Sequence, residues 1–367
     1  MKTRDAYNGS RRTGERFLRL WSELAQGVFP FIMEEVGELD YDHRLFVSVC
    51  EAVIDPKEFE YAKWCGNGRP KADRVSILKA YLLKMTLNLK GDKELVELLR
   101  QQPLSRRTCG WGSAGLVPSR PSFCRAFAEF AERGFTEKWF ADFIRKYHGD
   151  IPEETVSFDS APVHVRAKAA NAKRRLAKLD PDQPEPPPRL SCQGGQSAAE
   201  SIADLPVECE WGCKRDSQGK TKFWKGGKAH VGTTRDGVPV AFVYTSANLH
   251  DSQAAIPLMK QASERLEYHF DLMDAAYDAD PIRDESSEPG HVPIIDFNAR
   301  RSPEERRMSE LEKEIYKDRS AAERVFSHLL DAHGGRSVRV RAPKKIALHL
   351  LLGIIVIAVE QTIRMLC

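Results

Sequence analysis

The hydrophobic periodicity of this chain first changes at Thr155, and that change restricts the folds that the chain can adopt. Before Thr155, apolar residues recur every three to four positions, as on the buried face of a helix: Ile77, Leu78, Tyr81, Leu82, Met85 and Leu89. From Thr155 to Val165, apolar and polar residues alternate, which is typical of a strand, and four later segments resemble it: 223–234, 238–245, 269–274 and 291–297. The sequence therefore predicts an all-helical N-terminal domain followed by a mixed α/β domain.

A predicted helix from Asp251 to Leu266 lies between two of the later strands, and another from Pro303 to Leu330 follows the last strand. Asp236-Gly237 predicts a hairpin with a type I′ turn, whose two central residues both need positive φ. We predict a helical domain over 1–150, an α/β domain over 151–335 with a basic, proline-rich insertion at about 166–220, and a basic segment with an apolar helix over 336–367.

Composition excludes little by itself. The net charge is only +3, so a nucleic-acid partner has to be argued from local clusters of basic residues. Eight cysteines at uneven spacings and a polar N-terminus predict a cytoplasmic protein. The apolar run from Ile346 to Val359 is too short for a bilayer and contains His349, so it predicts a buried helix and no membrane partner.

Three acidic residues have contexts that suit a metal-dependent site. Asp159 lies inside an otherwise apolar strand, where a charge is costly unless a cation or a donor balances it. Asp274 ends a strand, at the sheet edge where ligands of α/β proteins bind. Glu323 lies on a predicted helix, with Tyr316 and Arg319 seven and four residues before it on the same face.

These residues, with the sequence around them, resemble the DDE transposases of bacterial insertion sequences. The resemblance covers roughly residues 40 to 365 and includes the helical N-terminal half. Each motif alone is common, but their order is specific. Four motifs carry the match: Ser157-Phe158-Asp159-Ser160; Trp224 to His230 with Ala247 to Asp251; Met273 to Asp278; and Tyr316, Arg319 and Glu323 in a Tyr-x2-Arg-x3-Glu signature.

The resemblance implies a ribonuclease H-like mixed sheet flanked by helices, with Asp159, Asp274 and Glu323 as catalytic carboxylates and metal ligands. It implies two Mg²⁺ (or Mn²⁺) ions, because an all-oxygen ligand set suits a two-metal phosphoryl-transfer site. The implied partners are double-stranded DNA, as terminal inverted repeats and as target, and further copies of the chain in a homodimer or larger nucleoid-associated assembly.

Candidate DNA contacts lie around these acids. Arg319 is positioned for a phosphate and Tyr316 for stacking or hydrogen bonding, while an Arg319–Glu323 pair within the helix is the alternative. Basic residues cluster at Arg166 to Lys178, at Lys220 to Lys228 and at Arg336 to Lys345. From the last two clusters we predict contacts by Lys225, Lys228, Arg336, Arg339 and Arg341.

Two departures from the family pattern leave alternatives open. Leu330 stands where the fullest signatures have lysine, and the insertion after Asp159 is long. One alternative is a catalytically silent, transposase-derived DNA-binding protein. Another is a ribonuclease H-like nuclease that cuts without strand transfer. Separately, Cys192, Cys209, Cys213 and His230 form a weak candidate zinc site, although His230 is better interpreted as packing on its strand.

Overall fold

The computed structural model describes residues 39–63, 66, 70–170, 187–215, 219–297 and 308–366. These residues form two compact units. One unit contains the described residues up to Pro152 together with 327–337 and 347–366, and the other contains 153–326 and 338–346. Both compact units are discontinuous along the chain, so they do not correspond one to one with the three contiguous domains predicted from the sequence. That division stays a prediction.

The first unit is helical, as the periodicity before Thr155 predicts. Side-chain caps begin two of its helices. Asp40 accepts the amide of His43 at the start of the helix Tyr41–Val53, and Asp73 accepts the amide of Ser76 at the start of the helix Arg74–Thr86. The helices are α1 (Tyr41–Val53), α2 (Arg74–Thr86), α3 (Asp92–Gln101), α4 (Pro103–Thr108), α5 (Arg120–Arg133) and α6 (Phe135–His148), with a 3₁₀ helix at Pro56–Ala62.

Aromatic residues fill the core of this unit. Phe123, Phe127 and Phe130 project from one face of α5 and are almost completely buried, which confirms that their helical spacing marks a packing face. Phe59 packs edge-on against Phe130, with ring centroids 5.9 Å apart. These side chains are therefore unavailable for stacking on nucleic-acid bases.

The C-terminal helix α13 (Pro343–Leu366) is long and apolar enough to cross a membrane by length and composition. However, 83% of its most apolar window is buried inside the protein, as in the core helix of a folded domain. This agrees with the buried helix predicted from the run Ile346 to Val359.

The second unit is built on a mixed sheet. Its strands are β1 (Glu153–His164), β2 (Glu210–Arg215), β3 (Thr221–Thr234), β4 (Pro239–Ser246), β5 (Tyr268–Met273) and β6 (Val292–Ile295). Antiparallel β3 lies between β1 and β4, and its first half pairs with β2. On the other side, β5 is parallel to β1 and β6 is parallel to β5. This sheet, with its flanking helices, confirms the ribonuclease H-like fold class.

Several element bounds differ from those predicted. The described part of the insertion contains α7 (Arg189–Gln193), α8 (Ala198–Ala203) and strand β2, whereas residues 171–186 lie outside the described residues. The helix predicted over 251–266 is a 3₁₀ turn at Asp251–Ala254 followed by α9 (Ala255–Ser263). After α10 (Asp280–Ser287), the helix predicted over 303–330 is divided into α11 (Glu310–Tyr316), a 3₁₀ turn at Lys317–Arg319 and α12 (Ser320–Ala332), with 298–307 outside the described residues.

The β3–β4 hairpin forms where Asp236-Gly237 predicts it, but the type I′ turn is wrong. Only Gly237 has positive φ, at 83°, and its amide donates to the Thr234 carbonyl at 2.9 Å. The loop is therefore a turn centred on Arg235 and Asp236 and followed by a left-handed glycine, which is the usual three-residue hairpin geometry. The longer loop accommodates Asp236, which would be strained at positive φ.

A glycine pair in β3 lets three strands approach closely. A Cβ atom on Gly226 would lie 1.9 Å from the carbonyl oxygen of Val163 in β1, and Gly226 has φ of 156°. A Cβ atom on Gly227 would lie 2.4 Å from the carbonyl oxygen of Thr245 in β4. No other residue type fits these positions without moving backbone, because the obstructing atoms belong to main chain.

The first residue of β1 predicts a pH dependence of stability. Glu153 is only 7% exposed, and its burial, together with the charge of Asp236, raises its pKa to about 7. A raised carboxyl pKa contributes stability below the unfolded value near 4.5, and this contribution is lost as pH rises through about 7. We expect Glu153→Gln to stabilise the protein by about 2 kcal/mol at pH 8.5 and to have little effect at pH 4.

Thermal melts at the two pH values measure this difference. Glu154→Gln is the matched control, since the neighbouring Glu154 side chain is 53% exposed. A melting temperature of Glu153→Gln that tracks the wild type at both pH values would contradict the prediction.

Candidate active site

Two of the predicted catalytic carboxylates lie side by side at one edge of the sheet. The last paired residues of parallel strands β1 and β5 are Ser157 and Leu272, so Asp159 and Asp274 each follow two residues later at the same level. Neighbouring strands are about 5 Å apart. The Asp274 side chain is oriented by accepting the Ala276 amide at 2.9 Å, so that it caps the short helix after β5.

A third aspartate extends this row. Met273 pairs with Ile295 in the parallel β5–β6 ladder, and therefore Asp274 and Asp296 are level on adjacent strands. The Asp296 amide continues the ladder by donating to the Met273 carbonyl at 3.1 Å. The sequence analysis missed Asp296 because it placed the end of this strand at Phe297, although an acid directly after a buried strand is the same signal that identifies Asp274.

The environment of Asp159 is electrostatically unusual. Burial and the charge of Asp274 raise the pKa of Asp159 to about 6, while the Ser160 amide, Arg319 and Lys214 act in the opposite direction. The Ser160 amide donates to Asp159 at 2.7 Å. A buried carboxylate next to another carboxylate favours binding of a cation, since a cation compensates both the desolvation and the repulsion.

Arg319 joins Asp159 to the predicted third carboxylate. Its guanidinium contacts Asp159 Oδ2 at 3.5 Å with one terminal nitrogen and Glu323 Oε1 at 3.0 Å with the other. Because one guanidinium spans both contacts, the two carboxylates lie within about 9 Å of each other. The pair of Arg319 with Glu323, which the sequence left as an alternative, therefore forms, and Arg319 also reaches β1.

The three carboxylates lie in one region, but their oxygens are not as close as the ligands of a bound ion would be. Among the described residues, their oxygens do not form a group within 4.8 Å of one another. Glu323 has a side chain that is 61% exposed, whereas the Asp159 side chain is only 15% exposed. The site thus consists of a fixed pair of aspartates on the sheet and a more accessible glutamate that Arg319 holds nearby.

The break between α11 and α12 positions this glutamate. Asp318, in the intervening 3₁₀ turn, accepts hydrogen bonds from two residues of β1: its carbonyl oxygen from Ser157 Oγ at 3.3 Å and its carboxylate from Thr155 Oγ1 at 3.4 Å. Arg235 also pairs with Asp318 at 3.5 Å. Asp318 therefore anchors the turn to the strand that carries Asp159, a role that the sequence analysis missed.

The negative charges of nearby aspartates act on the Tyr316 hydroxyl. Burial raises the pKa of Tyr316 to about 12, with Asp296, Asp274 and Asp159 contributing in the same direction and Arg319 against them. The hydroxyl is thus a proton donor at neutral pH. The Arg319 guanidinium lies 5.8 Å from the centre of the Tyr316 ring, a contact that a 3₁₀ turn allows because residues i and i+3 are aligned.

The predicted basic contacts differ in how accessible they are. Arg339 and Arg341 are exposed, Arg336 is exposed and pairs with Asp331 at 2.7 Å, and Lys225 is half-buried on β3. Lys228 is different, because its ammonium is 2.7 Å from Asp251 and its side chain is 13% exposed. The structure therefore gives no support for a DNA contact by Lys228.

Lys214 is a basic residue that the sequence analysis did not select. It is exposed on β2, opposite Lys222 in β3, and its charge lowers the pKa of Asp159 against the effect of burial. The position of Lys214 depends on the alternation of side chains along β2 and on the register of β2 with β3. The sequence did not predict β2, so this position could not be predicted either.

Two further sequence interpretations can be compared with the structure. His230 is completely buried, is 2.8 Å from Thr245 Oγ1, and has its pKa lowered to about 4 by burial, so it packs on its strand as expected. Among the described residues, Cys192, Cys209, Cys213 and His230 do not converge into a metal-binding group.

A ribonuclease H-like sheet with one aspartate within β1, another directly after β5 and a glutamate on a later helix defines the DDE class of catalytic domains. Two family models match this chain: "Transposase DDE domain" over residues 195–359 and "Transposase domain (DUF772)" over residues 37–129. The chain belongs to the DDE transposases of insertion sequences. No curated protein and no solved structure matches it. The first match contains Asp274 and Glu323, while Asp159 lies between the two matched regions.

Proposed function

We propose that this chain is an active transposase that binds the terminal inverted repeats of an insertion sequence, cleaves DNA at their ends and joins them to target DNA. The observation that carries the proposal is the single guanidinium of Arg319 contacting both Asp159 and Glu323, with Asp274 level with Asp159 on the adjacent strand. Three acids distant in sequence thus lie near one another, and clustered carboxylates are what a two-metal site for phosphodiester cleavage needs.

The residues of the site fit a pair of divalent ions. All donors are carboxylate oxygens, which Mg²⁺ and Mn²⁺ prefer, and the desolvated Asp159 carboxylate next to Asp274 favours a cation. We propose that Asp159, Asp274 and Glu323 together would hold two Mg²⁺ or Mn²⁺ ions. When bound, such ions activate the attacking oxygen and relieve charge on the phosphoryl group and leaving oxygen.

The protein groups have distinct roles in this scheme. Asp159 and Asp274 are fixed on adjacent strands, so the sheet sets their spacing before DNA binds. Arg319 releases the acids and pairs with a phosphate near the cut, where its planar fork is suited to phosphate oxygens. The protonated Tyr316 hydroxyl donates a hydrogen bond to the DNA on the same side.

We further propose that the exposed face of the β2–β3 hairpin binds DNA. Paired residues share a face, so Trp211, opposite Lys225, and Phe223, opposite Cys213, project together. Trp211 is 59% exposed and Phe223 is 70% exposed, which is unusual for aromatic residues. Exposed aromatic rings beside Lys225 suit base stacking and phosphate contact, while Lys214, on the opposite face of the hairpin, lowers the pKa of Asp159 through its charge.

The hairpin surface predicts a loss of DNA affinity. We expect Phe223→Ala to weaken binding of DNA ends about tenfold, since stacking of one base on an aromatic ring contributes about 1–3 kcal/mol. Fluorescence anisotropy with a labelled terminal repeat measures the affinity. Leu311→Ala is the matched control, because Leu311 is equally exposed at 70% and lies on α11. Equal affinities for the two variants would contradict the assignment.

An assay of reaction products tests the proposed activity against its alternatives. Purified protein is incubated with Mg²⁺ or Mn²⁺ and duplexes that carry the inverted repeats flanking the gene. Nicked repeat ends together with joined products support transposition. Nicking without joining indicates a nuclease, and binding without nicking indicates a silent DNA-binding protein, as the Leu330 departure would suggest.

Assembly and location follow from the same proposal. Joining two element ends requires two active sites, so we propose a homodimer or larger assembly on DNA, located in the cytoplasm at the nucleoid. Light scattering of the complex with paired ends measures the stoichiometry, and a complex with one chain and one end would contradict it.

A further inference from the structure

The first unit contains a cluster of potential metal ligands, distinct from the catalytic carboxylates. His328 lies on α12, His333 directly follows that helix, and Glu360 lies on α13. Their ligand atoms all lie within 4.8 Å of one another. Among the described residues, these three form the group that is close enough to hold a metal ion. Glu360 Oε2 is 3.5 Å from His328 Nε2 and 3.4 Å from His333 Nε2.

Two buried ligand atoms face each other in this cluster. His333 Nδ1 is 3.2 Å from the Met85 carbonyl, which can only accept, so Nδ1 carries a proton and Nε2 is the ring nitrogen left to bind a cation. His333 Nε2 and Glu360 Oε2 are both buried without a hydrogen-bond partner among the described atoms. The two side chains are only 4% and 5% exposed. A cation between these two atoms would compensate for their burial.

The spacing of the ligand atoms fits a small tetrahedral ion. In a tetrahedral zinc site with bonds of about 2.0–2.1 Å, ligand atoms are about 3.3 Å apart. The two nitrogen-to-oxygen distances, 3.5 and 3.4 Å, are close to that value. Two imidazoles and one carboxylate form a common zinc ligand set, and the 28% exposure of the His328 side chain leaves one side open for a water ligand.

Surrounding hydrogen bonds hold these ligands in position. The Met85 carbonyl fixes the tautomer of His333, as outer partners of metal-bound histidines usually do. Glu360 Oε1 accepts from the Tyr41 hydroxyl at 2.9 Å and from Arg364 at 2.6 Å, which leaves Oε2 directed at the histidines. The loop that carries His333 is itself fixed, because Asn88 accepts the Gly334 amide at 3.1 Å.

We propose that His328, His333 and Glu360 bind one zinc ion, which ties the end of α12 to α13. The ion compensates for the burial of His333 Nε2 and Glu360 Oε2, so its role is to stabilise the helical unit. The proposal is independent of the proposed transposition activity, since none of these residues contributes to the catalytic carboxylates.

Calorimetric titration of the chelator-treated full-length protein with Zn²⁺ tests the site, with millimolar Mg²⁺ present to occupy the catalytic carboxylates. We expect one equivalent of Zn²⁺ per chain, a melting temperature raised by several degrees, and visible absorption bands of tetrahedral Co²⁺ when Co²⁺ replaces Zn²⁺. His328→Gln should weaken Zn²⁺ binding at least tenfold.

His269→Gln is the matched control, because His269 is exposed on β5, and it should bind Zn²⁺ like the wild type. His328 is partly exposed, so its replacement should leave the metal-free protein folded, as circular dichroism would verify. Glu360→Gln is a second variant and should also lose binding. The absence of stoichiometric binding at micromolar Zn²⁺ would overturn the proposal and indicate a proton between His333 and Glu360, and equal affinity of His328→Gln and wild type would also overturn it.

Discussion

Replacement of Asp274 by asparagine is expected to abolish DNA cleavage while DNA binding is retained. Asp274 is half-buried at the edge of the sheet and is fixed by the Ala276 amide, so an asparagine can occupy the same position and keep the fold. It cannot supply the charge needed to hold a divalent ion. The loss of several kcal/mol of transition-state stabilisation corresponds to a reduction of at least about 10³-fold in the rate of nicking. Single-turnover nicking of a terminal-repeat duplex measures the rate, and anisotropy measures binding.

Asp284→Asn is the control for this variant, because Asp284 is exposed on α10 and should be replaceable without loss of cleavage. Cleavage by Asp274→Asn within tenfold of the wild type would remove Asp274 from the catalytic site. Retained zinc binding by the same variant would separate the catalytic proposal from the inference about His328, His333 and Glu360.

Replacement of Gly226 by alanine should have the largest effect on stability. The added Cβ would lie 1.9 Å from the Val163 carbonyl oxygen, so β1 and β3 would have to separate at Val163, in the strand that also carries Asp159. Overpacking of this kind costs about 1–3 kcal/mol even where side chains can move, and here the obstacle is backbone. We expect destabilisation by more than about 4 kcal/mol, seen as insoluble protein or as a greatly lowered melting temperature.

Gly115→Ala is the control for this effect, since a Cβ on Gly115 meets no atom within 4 Å and its φ is not positive. It should change the melting temperature little. A Gly226→Ala protein that melts with the wild type would mean that β3 can shift without cost, and the close approach of β1 and β3 would then have no structural importance.

The sequence was sufficient to predict those parts of the fold that depend on local pattern. Alternation identified β1 and β5, and an acid inside the first strand and another at the end of the second marked the candidate site. The helical spacing of Phe123, Phe127 and Phe130 indicates a packing face, and these side chains are buried. These features are readable because a residue's neighbours in sequence determine them.

Other parts of the site depend on contacts between distant residues. The 3₁₀ break before α12 is stabilised by Asp318 accepting from Thr155 and Ser157, which lie more than 160 positions away. Similarly, Lys228 was predicted to bind DNA because it lies in a basic run, but Asp251, in the 3₁₀ turn after β4, pairs with it. Periodicity and charge clusters carry no information on such partners.

The cluster of His328, His333 and Glu360 shows the same limit. Two of its residues are five positions apart across the end of α12, and the third is on another helix. Their convergence depends on how that helix ends and on the loop that Asn88 holds. No local motif identifies such a site. By contrast, Tyr316, Arg319 and Glu323 lie close together in the sequence and form a recognisable signature.

The contact of Arg319 with Asp159 and Glu323 has a consequence for the proposed mechanism. Arg319 is an internal counter-ion for two carboxylates that we propose as metal ligands, so in this proposal arginine and metal would compete for the same oxygens. A DNA phosphate offers the guanidinium an alternative partner of equal charge. We therefore expect divalent ions to load more readily when element ends are engaged, which would protect the rest of the chromosome from unpaired cutting.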